Sequence, residues 1–172
     1  IGKRVILQPG AIIGSDGHGY YQRKGENKKI PQVGRVILHD DVEVGACTAV
    51  DRGRFNDTIV HQGTKLDNLV QVAHNVEIGA HSLISGQSGI GGSTKTGRNL
   101  ILGGQSAVRD NIVIGDQVVV AGRAGVSNNL KDKEVVGGAP AQPVHKWMQS
   151  IALVNNLSDL FKRVKILESK VK

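Results

Sequence analysis

The sequence predicts an all-β solenoid, a parallel β-helix of hexapeptide repeats, followed by a C-terminal α-helix. Stepping by six residues from Val60 to Val126 gives eleven aliphatic residues in twelve positions, and the exception, Thr96, is β-branched. The residue after this marker is Gly at five places, namely Gly79, Gly91, Gly97, Gly103 and Gly115. The 172 residues include 23 Gly but only one Trp, two Tyr and two Phe. Neither an α-helix nor an alternating strand has a period of six, and so few aromatic residues imply an aliphatic core.

Three hexapeptides close one triangular coil of 18 residues, in which short strands end at turns. Gly tolerates the positive φ that we expect at these turns, and equivalent markers of neighbouring coils stack at about 4.8 Å, the spacing of paired strands. Shorter runs of the same period come earlier, at Ile1, Leu7 and Ile13, and then at Leu38, Val44 and Val50. We therefore expect the β-helix to span residues 1–136.

Two interruptions of the period are candidates for functional segments, because solenoids depart from their own rule where function requires it. A polar stretch at about residues 15–35 contains the charged run 22–29 and is predicted to be a loop ejected from the coil. Between Val50 and Val60 the register slips, which predicts a bulge or short loop at residues 51–54.

After the β-helix, residues 137–143 form a Gly- and Pro-containing breaker segment. Residues 144–172 then predict a helix with an unbroken heptad seam, made of Leu153, Leu157, Leu160, Val164, Leu167 and Val171. A single helix cannot bury such a stripe, so it must pack on the solenoid or on copies of itself.

Composition restricts the classes of function. The net charge of +7 favours an acidic partner or an anionic substrate, whereas so few aromatic residues argue against nucleic-acid binding. No segment is long and apolar enough to be a transmembrane helix. One cysteine, Cys47, excludes a disulfide framework and a cysteine-based zinc site, and we expect it to be a buried residue inside the coil. The chain begins at Ile1 without Met, so we expect it to lack an N-terminal domain.

His74 is the strongest candidate for a catalytic residue. It comes two positions after the marker Val72 and therefore faces outward at a corner, among Asp67, Asn68, Gln71 and Asn75. Gly92 lies 18 residues later, one coil further on. A neutral imidazole beside a glycine N–H forms a plausible pair of general base and oxyanion donor.

A zinc-dependent hexapeptide enzyme is an alternative. His61, His74 and His81 are separated by 13 and 7 residues, and neither offset matches a coil of 18. We therefore expect no metal site. A third possibility is a non-catalytic trimer that serves as a scaffold.

Several motifs together resemble one enzyme family. They are Val44-Gly45-Ala46-Cys47-Thr48-Ala49-Val50-Asp51-Arg52-Gly53 and the Lys65-Leu66-Asp67-Asn68 and Ala73-His74-Asn75-Val76 segments. The chain resembles the UDP-3-O-(3-hydroxyacyl)glucosamine N-acyltransferases of lipid A biosynthesis over nearly its whole length. The resemblance implies a left-handed β-helix, a homotrimer with active sites between subunits, and a cytoplasmic protein.

The resemblance also implies a reaction. His74 would be the general base on the 2-amino group of a UDP-linked acylated glucosamine, and the Gly92 N–H would hold the oxyanion. The donor would be a 3-hydroxyacyl thioester on the phosphopantetheine of acyl carrier protein, with no other cofactor. Basic tail residues fit this acidic partner, namely Lys146, Lys162, Arg163, Lys165, Lys170 and Lys172.

Other site residues follow from the same resemblance. Asp67, Asn68 and Gln71 would orient the histidine or contact the sugar and pantetheine. Asn111 stands where family members often have a second histidine. A charge-assisted contact of that histidine to a phosphate or thioester oxygen would be weaker here, or Arg109 would supply it.

Overall fold

The six-residue period builds three parallel sheets that form the sides of the solenoid. The computed structural model describes residues 1–171. The first sheet contains seven strands, the second six and the third five. Paired residues lie one coil apart in most of the structure, for example Leu83 with Ile101.

Most strands are only two residues long, because each hexapeptide must also turn a corner. The strands are β1 Ile6–Leu7, β2 Ile12–Asp16, β3 Tyr20–Arg23, β4 Glu26–Lys29, β5 Val36–Leu38, β6 Glu43–Val44, β7 Ala49–Arg52, β8 Thr58–Val60, β9 Lys65–Leu66, β10 Gln71–Val72, β11 Glu77–Ile78, β12 Leu83–Ile84, β13 Gly89–Ile90, β14 Lys95–Thr96, β15 Ile101–Leu102, β16 Ala107–Val108, β17 Val113–Ile114, β18 Val119–Val120, β19 Gly125–Val126 and β20 Val135–Val136. The first sheet has the strand order β1-β6-β9-β12-β15-β18-β20, the second β19-β16-β13-β10-β7-β2, and the third β17-β14-β11-β8-β5.

The markers form the core, as the sequence predicts. All twelve markers from Val60 to Val126 are at most 8% exposed, and Thr96 is among them. Burying an aliphatic side chain contributes about 1.5–3 kcal/mol, so the inward stack is the main stabilising element of the solenoid.

Small hydroxyl side chains satisfy the buried backbone at the corners. Thr64 Oγ1 and Ser82 Oγ both donate to the Gly79 carbonyl, at 2.9 and 2.8 Å. The Ser82 N–H in turn donates to Thr64 Oγ1 at 3.3 Å. Because buried carbonyl and N–H groups must be paired, Ser or Thr is favoured at these inward corner positions.

Glycine follows the markers for a different physical reason from the positive φ that we expected. Positive φ occurs two residues later, on residues such as Leu69, Asn75 and His81. Gly91 is instead required by close approach, because an added Cβ would lie 2.5 Å from the backbone nitrogen of Asp110 in the next coil.

Cys47 corrects the expectation of a buried thiol. It is exposed and has a φ of 55°, whereas the next residue, Thr48, is fully buried. The position three residues after a marker is the outward, left-handed corner, and the inward position is the fourth.

The first interruption is an ejected segment, and it contains an antiparallel hairpin of β3 and β4. The second interruption is shorter than predicted at its start. Asp51 and Arg52 belong to strand β7 rather than to a loop, and the chain leaves the coil only at residues 53–57. Strand β2 pairs with β7 through a register shift between Ile13 and Ser15.

The chain divides into two units, Ile1–Ala139 and Pro140–Lys172. The second contains two helices, α1 Val144–Asn155 and α2 Leu157–Val171, where the sequence predicts one. The break falls at Asn156, whose N–H bonds to the carbonyls of Leu153 and Val154. The seam leucines are exposed in the single chain, and the Val171 side chain and Lys172 lie outside the described residues. None of the described helices is long and apolar enough to cross a membrane.

Candidate active site

His74 lies at the corner between β10 of the second sheet and β11 of the third, which we call the His74 corner. Val72, two residues before it, points inward and is fully buried. The alternation of the short strand and its turn therefore directs the His74 side chain outward, where it is half-buried.

Asn75 fixes the orientation of the imidazole. Its Oδ1 accepts a hydrogen bond from the Arg54 N–H at 3.0 Å and lies 3.1 Å from His74 Nδ1. Because the atom that faces a backbone N–H must be the amide oxygen, His74 Nδ1 must be the donor. This assigns the proton to Nδ1 and leaves the lone pair on Nε2, which has no hydrogen-bond partner within residues 1–171.

Two glycines enclose the imidazole. A Cβ added to Gly92 would lie 2.8 Å from both Cε1 and Nε2 of His74, and one added to Gly17 would lie 2.7 Å from its Cβ. Gly92 comes from the next coil and Gly17 from the ejected segment. The structure thus brings together His74 and Gly92, the two residues that the 18-residue offset pairs.

Asp51 is the buried carboxylate nearest to this corner. Ser15 Oγ donates to its Oδ1 at 2.6 Å, and Gln71 Nε2 donates to its Oδ2 at 2.8 Å. Burial raises the pKa of Asp51 above its ordinary 3.8, although the hydrogen bonds from Ser15 and Gln71 and the electrostatic effect of the nearby His74 act in the opposite direction. Gln71 therefore contacts Asp51, and it makes no hydrogen bond to His74 within residues 1–171.

His74 opens into a cleft of about 850 Å³, which we call the His74 cleft. Its lining includes His18, Arg54, Lys95 and Asn111. Asn111 thus shares the cleft with His74, and its Nδ2 donates to Asp110 Oδ2 at 2.6 Å. Arg109, the suggested substitute for the missing charge, is not among the lining residues, and its Nε lies 3.7 Å from Asp110.

Asp67 and Asn68 lie elsewhere. They line a separate cavity of about 550 Å³ at the corner between the first and second sheets. Asp67 accepts from the N–H groups of Asn68 and Gly86 at 2.7 and 2.9 Å, and Asn68 accepts from the Ala46 N–H at 2.7 Å. Within one chain these two side chains hold turns, and they do not contact His74.

Sequence reasoning missed several residues of the cleft, among them His18 and Arg54. The His18 ring lies 5.0 Å from that of Tyr20. Both residues fall in the interruptions of the repeat, which was the available signal. Their approach to His74 depends on how the ejected segments fold back, which no period describes.

No group of three or more His, Cys, Asp or Glu side chains is arranged to hold a metal ion in the described part of the chain. His39 and His61 stack at 4.9 Å, and His61 Nε2 lies 3.0 Å from Glu77 Oε1.

Comparison with known proteins finds relatives that match nearly the whole chain. Residues 57–92 match the family described as bacterial transferase hexapeptide (six repeats). The chain is 53% identical, over 99% of its length, to the UDP-3-O-acylglucosamine N-acyltransferase of Anaeromyxobacter dehalogenans (strain 2CP-1 / ATCC BAA-258). It is 57% identical over 94% of its length to the protein of that name from Methylacidiphilum infernorum (isolate V4). It covers 50% and 46% of these two relatives, so the chain spans about half the length of the curated relatives that it matches.

Solved structures share the architecture at low sequence identity. A UDP-N-acetylglucosamine acyltransferase superposes with a TM-score of 0.70 at 20% identity, covering 95% of this chain and 64% of that one. LpxA from Acinetobacter baumannii superposes with a TM-score of 0.62 at 16% identity, covering 83% and 60%. The fold is the left-handed parallel β-helix, as predicted.

Proposed function

Because this chain belongs to the hexapeptide-repeat family of UDP-3-O-acylglucosamine N-acyltransferases, we propose that it catalyses N-acylation in lipid A biosynthesis. The donor is a 3-hydroxyacyl thioester on the phosphopantetheine of acyl carrier protein, and no other cofactor takes part. The acceptor is the 2-amino group of UDP-3-O-acylglucosamine. We place this reaction in the cytoplasm.

The observation that carries this proposal is the contact of His74 Nδ1 with Asn75 Oδ1, an oxygen that also accepts from the Arg54 N–H. Asn75 Oδ1 holds the Nδ1 proton, so the unprotonated Nε2 is the atom that faces the reactants. As the acceptor nitrogen attacks the thioester carbonyl, Nε2 removes a proton from that nitrogen. The tetrahedral intermediate then collapses, the C–S bond breaks, and the imidazolium returns the proton to the pantetheine thiolate.

Two neighbours stabilise the charges that develop. The Gly92 N–H makes no hydrogen bond within residues 1–171, and it is available to the oxyanion of the intermediate. When ionised, the nearby Asp51 carboxylate supplies a negative charge opposite to the positive charge that develops on the imidazole during proton transfer. The reaction therefore needs no covalent enzyme intermediate.

The assembly that we propose is a homotrimer. Asp67 and Asn68 line a cavity at one edge of the triangular solenoid, whereas His74 lies at another. Threefold association of copies would bring the Asp67 edge of one subunit to the His74 edge of the next. In that arrangement Asp67 and Asn68 contact the sugar or pantetheine in the neighbour's site, while Asn111 acts from within its own chain. Basic residues of the tail would attract the acidic carrier protein.

The test is acyl transfer measured by mass spectrometry with 3-hydroxyacyl carrier protein and UDP-3-O-acylglucosamine. Loss of a general base lowers rates by about 10²–10⁴-fold, so His74→Ala should form at least about 100-fold less product. His39→Ala is the matched control, because His39 is an exposed histidine at a different corner. Equal rates in His74→Ala and the unaltered chain would contradict the role of His74.

A second arm tests the function itself. The chain is assayed alone and joined to the part of the Anaeromyxobacter dehalogenans relative that it does not cover. Transfer in either form supports the proposal. No product in both forms would favour a non-catalytic trimer.

A further inference from the structure

Arg54 brings a positive charge into the His74 cleft that no side chain of the described residues neutralises. The half-buried Arg54 lines the cleft, yet it forms no ion pair within residues 1–171. Its Nε is buried without a hydrogen-bond partner. A charge taken partly out of water normally has a partner, so this guanidinium points to a ligand.

The carboxylates in the cleft are already engaged. Asp57 Oδ2 lies 3.0 Å from Arg35 Nη2, and Glu77 Oε1 lies 3.0 Å from His61 Nε2. Asp110 accepts from Asn111. Arg54 is therefore free to meet an anion from solution.

The backbone around Arg54 is held on both sides. Its N–H donates to Asn75 Oδ1 at 3.0 Å, and its carbonyl accepts from the Val33 N–H at 2.8 Å. The same Asn75 oxygen receives His74 Nδ1. One amide thus ties the base of the Arg54 side chain to the imidazole, which fixes their relative position.

The end of the side chain sits against the root of the ejected hairpin. A Cβ on Gly19 would lie 3.5 Å from Arg54 Nη2, and it would collide with the Gln32 amide. Gln32 Oε1 is also buried without a partner. This packing restricts the guanidinium, so less conformational entropy is lost when it binds a ligand.

We propose that Arg54 binds a phosphate group of a substrate in the His74 cleft. Guanidinium matches phosphate oxygens with two parallel N–H donors. The inference rests on the proposed function, whose reactants supply two phosphate sources: the diphosphate of the nucleotide-linked acceptor and the phosphate of the phosphopantetheine arm. Either one, bound beside His74, positions its reacting group over Nε2.

The test measures binding of UDP and of free phosphopantetheine by calorimetry, each with the unaltered chain, Arg54→Gln and Arg98→Gln. Arg98 carries the same charge, but it pairs with Asp116 at 3.3 Å at another corner. Arg54→Gln keeps the backbone bond to Asn75, and a thermal melt of each variant checks folding. We expect one probe to bind about 10-fold or more weakly to Arg54→Gln, with Arg98→Gln within about twofold of the unaltered chain.

The probe that weakens identifies the source of the phosphate. Equal affinity of both probes for the unaltered chain and Arg54→Gln would overturn the inference, as would an equal loss in Arg98→Gln or no binding to the unaltered chain. Acyl transfer measured on the same samples separates the two proposals. Transfer that depends on His74 while binding ignores Arg54 defeats only this inference. Binding that depends on Arg54, with no transfer either by the chain alone or by the joined form, defeats only the proposed function.

Discussion

Gly92→Ala tests the geometry of the His74 corner with the smallest possible change. The added Cβ would lie 2.8 Å from His74 Cε1 and Nε2, so the ring must move by roughly 0.6 Å or more to regain an ordinary contact of 3.4 Å. The φ of Gly92 lies outside the left-handed region, so alanine is not strained there. The N–H also remains, so the substitution keeps the proposed oxyanion donor.

The expected result is a loss of turnover without a loss of fold. A misplacement of about 1 Å at a reacting group can cost about 10²-fold, so a shift of this size should lower kcat by about 10–100-fold. Acyl transfer gives the rate, and the imidazole resonances of His74 report the shift of the ring independently of activity.

Gly89→Ala is the matched control for this prediction. Gly89 lies on β13, three residues earlier, and its added Cβ would meet nothing within 4 Å. We expect it to keep both rate and His74 resonances. An active Gly92→Ala with unmoved resonances would refute the reasoning, and so would an equal loss of rate in Gly89→Ala.

Three further predictions concern charge and packing. Asn75→Asp keeps the acceptor for His74 Nδ1 and adds a negative charge that favours imidazolium, so the acidic limb of kcat/KM against pH should move to higher pH; an unmoved limb would contradict the contact. Thr64→Val removes a donor to the Gly79 carbonyl and should lower the free energy of unfolding in urea by about 1–3 kcal/mol. An unchanged midpoint of urea unfolding would mean that this hydrogen bond does not stabilise the fold. Burial raises the pKa of Asp51 above 3.8, so the folded chain holds this proton more tightly than the unfolded chain. The unfolding free energy of the unaltered chain, measured against Asp51→Asn across a pH series, should therefore fall as pH rises from below 3.8 through the folded pKa; a rise would contradict the sign.

The sequence predicts the fold well because each six-residue repeat corresponds to one short strand and one corner of the solenoid. Each marker faces the core, and the corner after it faces solvent, so Val72 alone decides that His74 points outward. Pairing residues 18 apart then brings Gly92 to the ring. Both inferences need only counting, since the coils between residues 58 and 126 contain no insertion.

The positions of the other site residues could not be predicted from the 18-residue spacing. Gln71 pairs with the chain above at Ala49, 22 residues away rather than 18, because residues 53–57 leave the coil. Asp51 therefore comes near His74 through an offset that the period does not contain. For Asp67, closeness in sequence misled the prediction. It is only seven residues from His74, yet it lies at a different corner of the coil. In a solenoid, neighbours in sequence separate and neighbours one coil apart meet.

The His74 corner is a vertical stack, since the segments of Ser15, Asp51, His74 and Gly92 come from successive levels. The height of each level is set by backbone hydrogen bonds at about 4.8 Å, a length that no side chain can adjust. Distances between the backbones of different coils, measured along the solenoid axis, are therefore multiples of this spacing. Substitutions can lengthen or shorten a side chain within a level, and an insertion can add a whole coil. Neither change can move the His74 and Gly92 backbones apart by a fraction of one level. Such a scaffold keeps its reaction geometry while its substrates diversify.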